Sequence, residues 1–133
     1  MFVGVYERQL DERGRVALPT PFRSTIGEQC YLTFGDDACV RIMSADVFQD
    51  EAREMIEAVK AGTVSRAKQR AFSSSVVVAG IDKQGRILVD ARLRDHASID
   101  LQGPVKVLGA LDRIEIWEPS RYDAQEAAGM EEL

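Results

Sequence analysis

The chain has 133 residues, 45% hydrophobic and 29% charged, which is enough for one buried core and too little for two independent ones. Lysine and arginine total 17 against 22 aspartate and glutamate, and the net charge of -5 excludes a basic coat, so any nucleic-acid contact must be local. No apolar run reaches the roughly 18 residues of a membrane span, the start lacks the order of a signal peptide, and two cysteines with one histidine build neither a zinc site nor a catalytic set.

A cytoplasmic protein with no metal, cofactor or small-molecule substrate is therefore expected. In chain order, the first definite signature is LDERGRVALPTPFR at residues 10–23. Asp11 can accept bonds from backbone amides two or three residues on, and Gly14 can take the positive φ of a tight turn. Arg15 then starts a short strand through Val16-Ala17-Leu18, so the element reads as a hairpin corner. Pro19 and Pro21 open a helical turn through Phe22 and Arg23. A second strand pair, Tyr31 to Phe34 and Cys39 to Met43, turns at Gly35-Asp36-Asp37.

Ser44 or Asp46 caps a helix whose N-terminal side is acidic at Asp50, Glu51, Glu54 and Glu57. Phe48, Ala52, Met55 and Val59 make one apolar stripe along it, which should pack on a core. Gly62-Thr63 interrupts the pattern. Arg66, Lys68 and Arg70 follow in a short second helix, where they read most simply as compensation of a helix dipole and otherwise as a contact to DNA or a neighbouring subunit, and the chain then extends from Ser73 to Gly80. Phe48, Met55, Phe72 and Trp117 read as core or subunit contacts, and Cys30 and Cys39 as reduced apolar fillers.

Residues 81–94, IDKQGRILVDARLR, repeat residues 10–23 at an offset of 71, matching Asp11/Asp82, Gly14/Gly85, Arg15/Arg86, Val16/Ile87, Leu18/Val89, Phe22/Leu93 and Arg23/Arg94. YLTFGDDACVRIMS at 31–44 parallels VKVLGALDRIEIWE at 105–118 at an offset of 74, with the three extra residues in the connection. Glu118-Pro119-Ser120-Arg121-Tyr122 resembles the helix start at Ser44, and the acidic tail beyond it is expected to fray. The organisation is a first repeat at 1–48, a helical connection at 49–72, a second repeat at 73–122 and a tail at 123–133. Copies so short are marginal alone, so they are expected to interleave as one body, a small barrel around a pseudo-twofold axis.

MFVGVYERQLDERGRVALPTPFR, RAFSSSVVVAGIDKQGRILVDARLRDHA and LDRIEIW, in that order along nearly the whole chain, resemble the MraZ family. The resemblance implies a bacterial transcriptional regulator of α+β, mainly β, class: two SpoVT/AbrB-type repeats forming a swapped-hairpin barrel, with helices after each repeat. It implies a ring-like homo-oligomer, nucleoid-associated, that binds double-stranded promoter DNA at short G-rich direct repeats upstream of its own division and cell-wall gene cluster. In the family the Asp-x-x-x-Arg element supplies the DNA-facing residues, which are Asp11 and Arg15 here and Asp82 and Arg86 in the second copy. Arg13 stands where the family usually has Lys, and Asp90 where a Pro is frequent. An antitoxin-like regulator of the same superfamily and a pure oligomerisation module are the alternatives.

A guanidinium held by a tight turn can donate two parallel bonds to guanine O6 and N7, which suits Arg15 to a G-rich site. Asp11 either orients that guanidinium or caps the turn through amides, and both Asp-Arg pairs also read as turn staples unrelated to DNA. Arg8 and Arg13 suit phosphate contact or stand as solvated charge, and Lys83 in the second turn completes the DNA-binding candidates. Net charge is -1 over residues 1–43, 0 over 44–72 and -4 over 73–133. One protomer should bind weakly, and several on a ring should gain affinity through effective concentration.

Overall fold

Matched strands of the two copies share one burial pattern, and that pattern decides the core. In the computed structural model, which describes all 133 residues, β4 (Val40–Met43) and β8 (Ile114–Trp117) bury the same three of their four positions. β3 (Gln29–Phe34) and β7 (Pro104–Gly109) likewise bury their second, fourth and fifth residues. The remaining strands are β1 (Val5–Gln9), β2 (Arg15–Ala17), β5 (Val77–Gly80) and β6 (Arg86–Leu88). The molecule is thus α+β and mainly antiparallel sheet, as expected.

Six strands form one sheet in the order β1-β7-β8-β4-β3-β5, and β2 pairs β6 in a separate ribbon. The copies interleave. β1 of the first pairs β7 of the second with Val5 opposite Leu108, and β5 of the second pairs β3 of the first with Leu32 opposite Val77. At the centre β4 meets β8, with Arg41 opposite Glu115. Exchanging the copies maps this order onto itself, so a pseudo-twofold axis runs between β4 and β8. The hydrogen-bonded sheet does not close into the barrel expected from the sequence: β1 and β5 remain its edges, and the β2–β6 ribbon stands as its own pair. The Asp-x-x-Gly-Arg element is a tight turn as expected but joins no hairpin, because the strands on either side of it pair with the other copy.

Nineteen buried residues make one core drawn from both copies, including Leu10, Val16, Phe22, Leu32, Ile87, Leu93, Ile114 and Ile116. Phe22 sits edge-on to Phe2 at 5.6 Å and to Tyr6 at 5.4 Å, an arrangement aromatic rings favour. The one buried polar side chain, Thr33, accepts a bond from Arg41 Nε at 3.0 Å. Cys30 and Cys39 are buried and unbridged, and burial raises their thiols to about 11 and about 12.

The helices are α1 (Thr20–Ile26), α2 (Ala45–Lys60), α3 (Arg66–Ser75), α4 (Ala91–Ala97) and α5 (Pro119–Met130), none long and apolar enough to cross a membrane. Asp90, in the place of Pro19, caps α4 by accepting from the Leu93 amide at 3.0 Å. Ser44 caps α2. The stripe on α2 does not reach the core: no α2 residue is buried, and Phe48 instead stacks on Tyr31 at 4.4 Å and faces Phe72 of α3 at 6.1 Å. Trp117, by contrast, is buried with Cys39 and Leu108.

Three local expectations are corrected. Helix α3 continues through Ser75, so extended chain begins at Val77 rather than Ser73; the Ser74 and Ser75 hydroxyls donate to the Ala71 and Phe72 carbonyls and close the last turn. Arg66, Lys68 and Arg70 occupy the first half of α3, next to the positive end of its dipole, so dipole compensation does not account for them. The tail is helical to Met130, because Glu118 caps α5 through the Ser120 and Arg121 amides and Asp123 pairs with Lys106 at 2.6 Å.

Candidate nucleic-acid interface

The two Asp-x-x-Gly-Arg turns are built alike. In the first, Asp11 Oδ1 accepts from the Arg13 and Arg15 amides, both at 2.9 Å, while Oδ2 accepts from Arg15 Nε at 2.6 Å. In the second, Asp82 Oδ1 accepts from the Gln84 and Arg86 amides at 2.9 Å, and Oδ2 from Arg86 Nε at 3.0 Å. Each aspartate therefore caps its turn and orients its arginine at once, combining the two readings the residues left open. Gly14 at φ 88 and Gly85 at φ 77 supply the left-handed residue each turn needs.

The β2–β6 ribbon brings the turns together, with Arg15 opposite Leu88 and Arg86 opposite Ala17. Val16 and Ile87 point into the core, so alternation turns Arg15, Arg86 and the half-exposed Leu88 outward on one face. There Arg86 Nη1 also lies 3.6 Å from Asp11 Oδ2. Partial burial alone would raise the Asp11 carboxyl, but the Arg15 and Arg13 amides and the Arg15 guanidinium outweigh it and hold it at about 2. The Arg86 amide, against some burial, lowers Asp82 in the same sense.

Arg15 bonds within the protein only through Nε, which leaves both Nη groups free to donate outward. Arg86 is more engaged, since one of its Nη groups faces Asp11. Arg13 and Lys83 are exposed at the turn tips, one in each copy. Arg8 lies apart on β1, donating to the Glu7 carbonyl at 2.9 Å and sitting over the Tyr6 ring at 5.5 Å. Of the seven candidates, then, the fold gathers Asp11, Arg15, Asp82 and Arg86 into one cluster, adds Arg13 and Lys83 at its rim, and leaves Arg8 outside it.

Two further arginines stand behind the turns and had no role on sequence grounds, although the repeat itself paired them: Arg23 beside Gly85 and Arg94 beside Gly14.

Comparison with known proteins bears on this arrangement. The MraZ protein family, which its description likens to antitoxins, matches residues 1–71 and 77–132. The chain belongs to the MraZ family. Among its relatives, one from Nocardioides sp. is 38% identical over 91% of this chain and 83% of its own length, and carries the name Transcriptional regulator MraZ. Relatives of the same name from Lachnoclostridium phytofermentans and Heliobacterium modesticaldum are 32% and 36% identical over the whole of this chain and 92% and 94% of theirs. Both turns of this MraZ-family chain fall inside the matched segments.

Proposed function

We propose that this MraZ-family chain is a sequence-specific DNA-binding transcriptional regulator in which Arg15, and secondarily Arg86, read guanine in the major groove. The observation that carries the reading is the outward ribbon face on which Asp11 fixes Arg15 through Nε and leaves its Nη groups unbonded. A guanidinium so held loses little freedom on binding, and its free edge matches guanine O6 and N7, a pair worth about 1–3 kcal/mol of discrimination. Arg13 and Lys83 at the rim supply phosphate contacts that set register without reading sequence, and Arg8 extends that contribution along β1.

The target proposed is promoter DNA bearing short G-rich direct repeats, upstream of the gene cluster for division and cell-wall synthesis that includes the protein's own gene. The net charge of -5 makes a single protomer a weak binder. A ring-like homo-oligomer presenting one ribbon to each repeat gains affinity by effective concentration, without any strong single contact. The interleaved pairing of the two copies supports the swapped-hairpin relationship to AbrB-type repeats, with the ribbon as the shared DNA-facing element.

The test is an anisotropy titration of tandem-repeat and single-repeat duplexes at two salt concentrations, for wild type and Arg15→Ala, with oligomer size read by light scattering. Wild type is expected to prefer the tandem duplex, and Arg15→Ala to lose roughly ten- to hundredfold on the G-rich sequence. Undiminished binding by Arg15→Ala removes the arginine-ribbon reading, and absence of binding by wild type to either duplex leaves an oligomerisation module in its place.

A further inference from the structure

Arg23 and Arg94 are equivalent residues of the two copies, in the last turns of α1 and α4. Each reaches the turn of the opposite copy. A Cβ added at Gly14 would meet Arg94 Nη1 at 2.5 Å and the Val89 carbonyl at 2.9 Å, and one added at Gly85 would run into Arg23 Nη1, Cδ and Cζ. The guanidiniums thus fill the space that glycine leaves empty in each turn.

The backbone repeats this crossing. The Gly14 carbonyl accepts from the Val89 amide of the second copy at 2.9 Å, and the Gly85 carbonyl from the Leu18 amide of the first, also at 2.9 Å. Arg94 Nη1 donates to the Val89 carbonyl at 2.7 Å, so it braces the residue whose amide pins the turn glycine while filling the space beside that glycine. Arg23 departs for a reason visible in the sequence. Thr20 offers a hydroxyl that takes Arg23 Nη2 at 3.0 Å, whereas Ala91 at the matching position offers none. Arg23 Nε is left buried without a partner.

We propose that Arg23 and Arg94 are crossed positioning residues: Arg94 of the second repeat sets the turn that presents Arg15, and Arg23 of the first sets the turn that presents Arg86. The inference rests on the reading of these turns as DNA-facing. Its consequence is that the outward arginines act as a coupled pair, because each is aimed by a side chain from the other repeat. The glycines are the means of coupling, since any larger residue would displace the strut.

Amide exchange in the DNA-free protein tests the crossing by itself. In Arg94→Ala the Gly14 and Arg15 amides should exchange about tenfold faster relative to those of Gly85 and Arg86, and Arg23→Ala should give the reverse. The ratio between the two turns cancels any general loss of stability. Arg94→Lys and Arg23→Lys, which keep the charge and stem, are read in the same way if the alanine variants do not fold. Loosening confined to the same repeat's turn, or equal in both, overturns the proposal.

Titration of a duplex carrying two G-rich direct repeats then separates positioning from contact. A positioning residue weakens binding while the slope of log Kd against log salt stays fixed; a slope smaller by about one means that the guanidinium itself touches phosphate, and overturns the assignment. Crossed loosening in a protein whose DNA affinity is unchanged upholds the struts and counts instead against the DNA-facing reading, a result that Arg15→Ala would show independently.

Discussion

Asp11 Oδ2 lies 2.6 Å from Arg15 Nε and 3.6 Å from Arg86 Nη1, so one carboxylate of the first repeat holds the outward arginines of both. Of those two arginines Asp82 pairs with Arg86 only, at 3.0 Å. The two aspartates, equivalent in the repeat, are therefore unequal. Asp11→Asn keeps an oxygen for the turn amides but removes the charge, and is expected to loosen both arginines. Asp82→Asn should loosen one. The contact is reached by solvent and screened, so the expected loss for Asp11→Asn is about fivefold in DNA affinity. Anisotropy titration of both variants checks the order: Asp11→Asn weaker than Asp82→Asn, which is weaker than wild type.

The same carboxylate predicts an acid limit. Its folded value of about 2 lies below the ordinary 3.8, so the unfolded chain takes up the proton more readily. The stabilisation is fully present above the ordinary value and is lost as pH falls from there toward about 2. Carboxyl carbon shifts followed by NMR should show Asp11 titrating near the bottom of that window, with the turn unaltered between about pH 8 and 5. An ordinary midpoint for Asp11 would mean that the amide and guanidinium bonds do not persist in solution.

The duplication was legible because it preserves what periodicity reports. Val16 and Ile87 each stand between less buried neighbours and are themselves buried. The Asp and Gly of each turn were legible because few other residues can cap amides or take a positive φ. Which strand neighbours which was not legible in detail, since a period of two fixes the face and not the partner; the first copy's β1 beside the second's β7 is decided by long-range packing. Arg23 and Arg94 were visible as a repeated pair, but nothing local says that each crosses to the other turn. For the tail, acidity suggested fraying, whereas Ala124, Ala127 and Ala128 favour helix and Glu118 caps it.

Glycine pairs in the repeat carry different burdens, and Gly109 is the most constrained by backbone. A Cβ there would collide with the main chain of Phe2 and Val3, and no flexible side chain can yield. The N-terminus is docked at this point: the Gly109 amide donates to the Gly4 carbonyl at 2.9 Å, and Phe2 pairs with Leu111. Gly109→Ala is expected to undock residues 1–4, expose Phe2 and cost about 2–3 kcal/mol, seen as a lower melting temperature. Gly129 in α5 is the contrast, with open space around it. Gly129→Ala should be neutral or stabilising by up to about 1 kcal/mol. Equal effects at the two positions would refute the role given to the close approach.

Arg13 and Lys83 separate phosphate contact from base reading. Both are exposed at turn tips, and neither side chain has an ion-pair partner in the fold, so neutralising them should leave stability nearly unchanged. Each of Arg13→Gln and Lys83→Gln should weaken binding to G-rich and scrambled duplexes alike and reduce the salt slope by about one for each protomer engaged. Arg15→Ala should instead weaken the G-rich duplex selectively. The comparison also weighs the two turns. Arg15 has both Nη groups free while Arg86 faces Asp11, so Arg13 beside Arg15 should matter more than Lys83 beside Arg86. Salt titrations of both glutamine variants on the same duplexes measure that difference, and an equal or reversed ranking would show that the second turn is engaged as fully as the first.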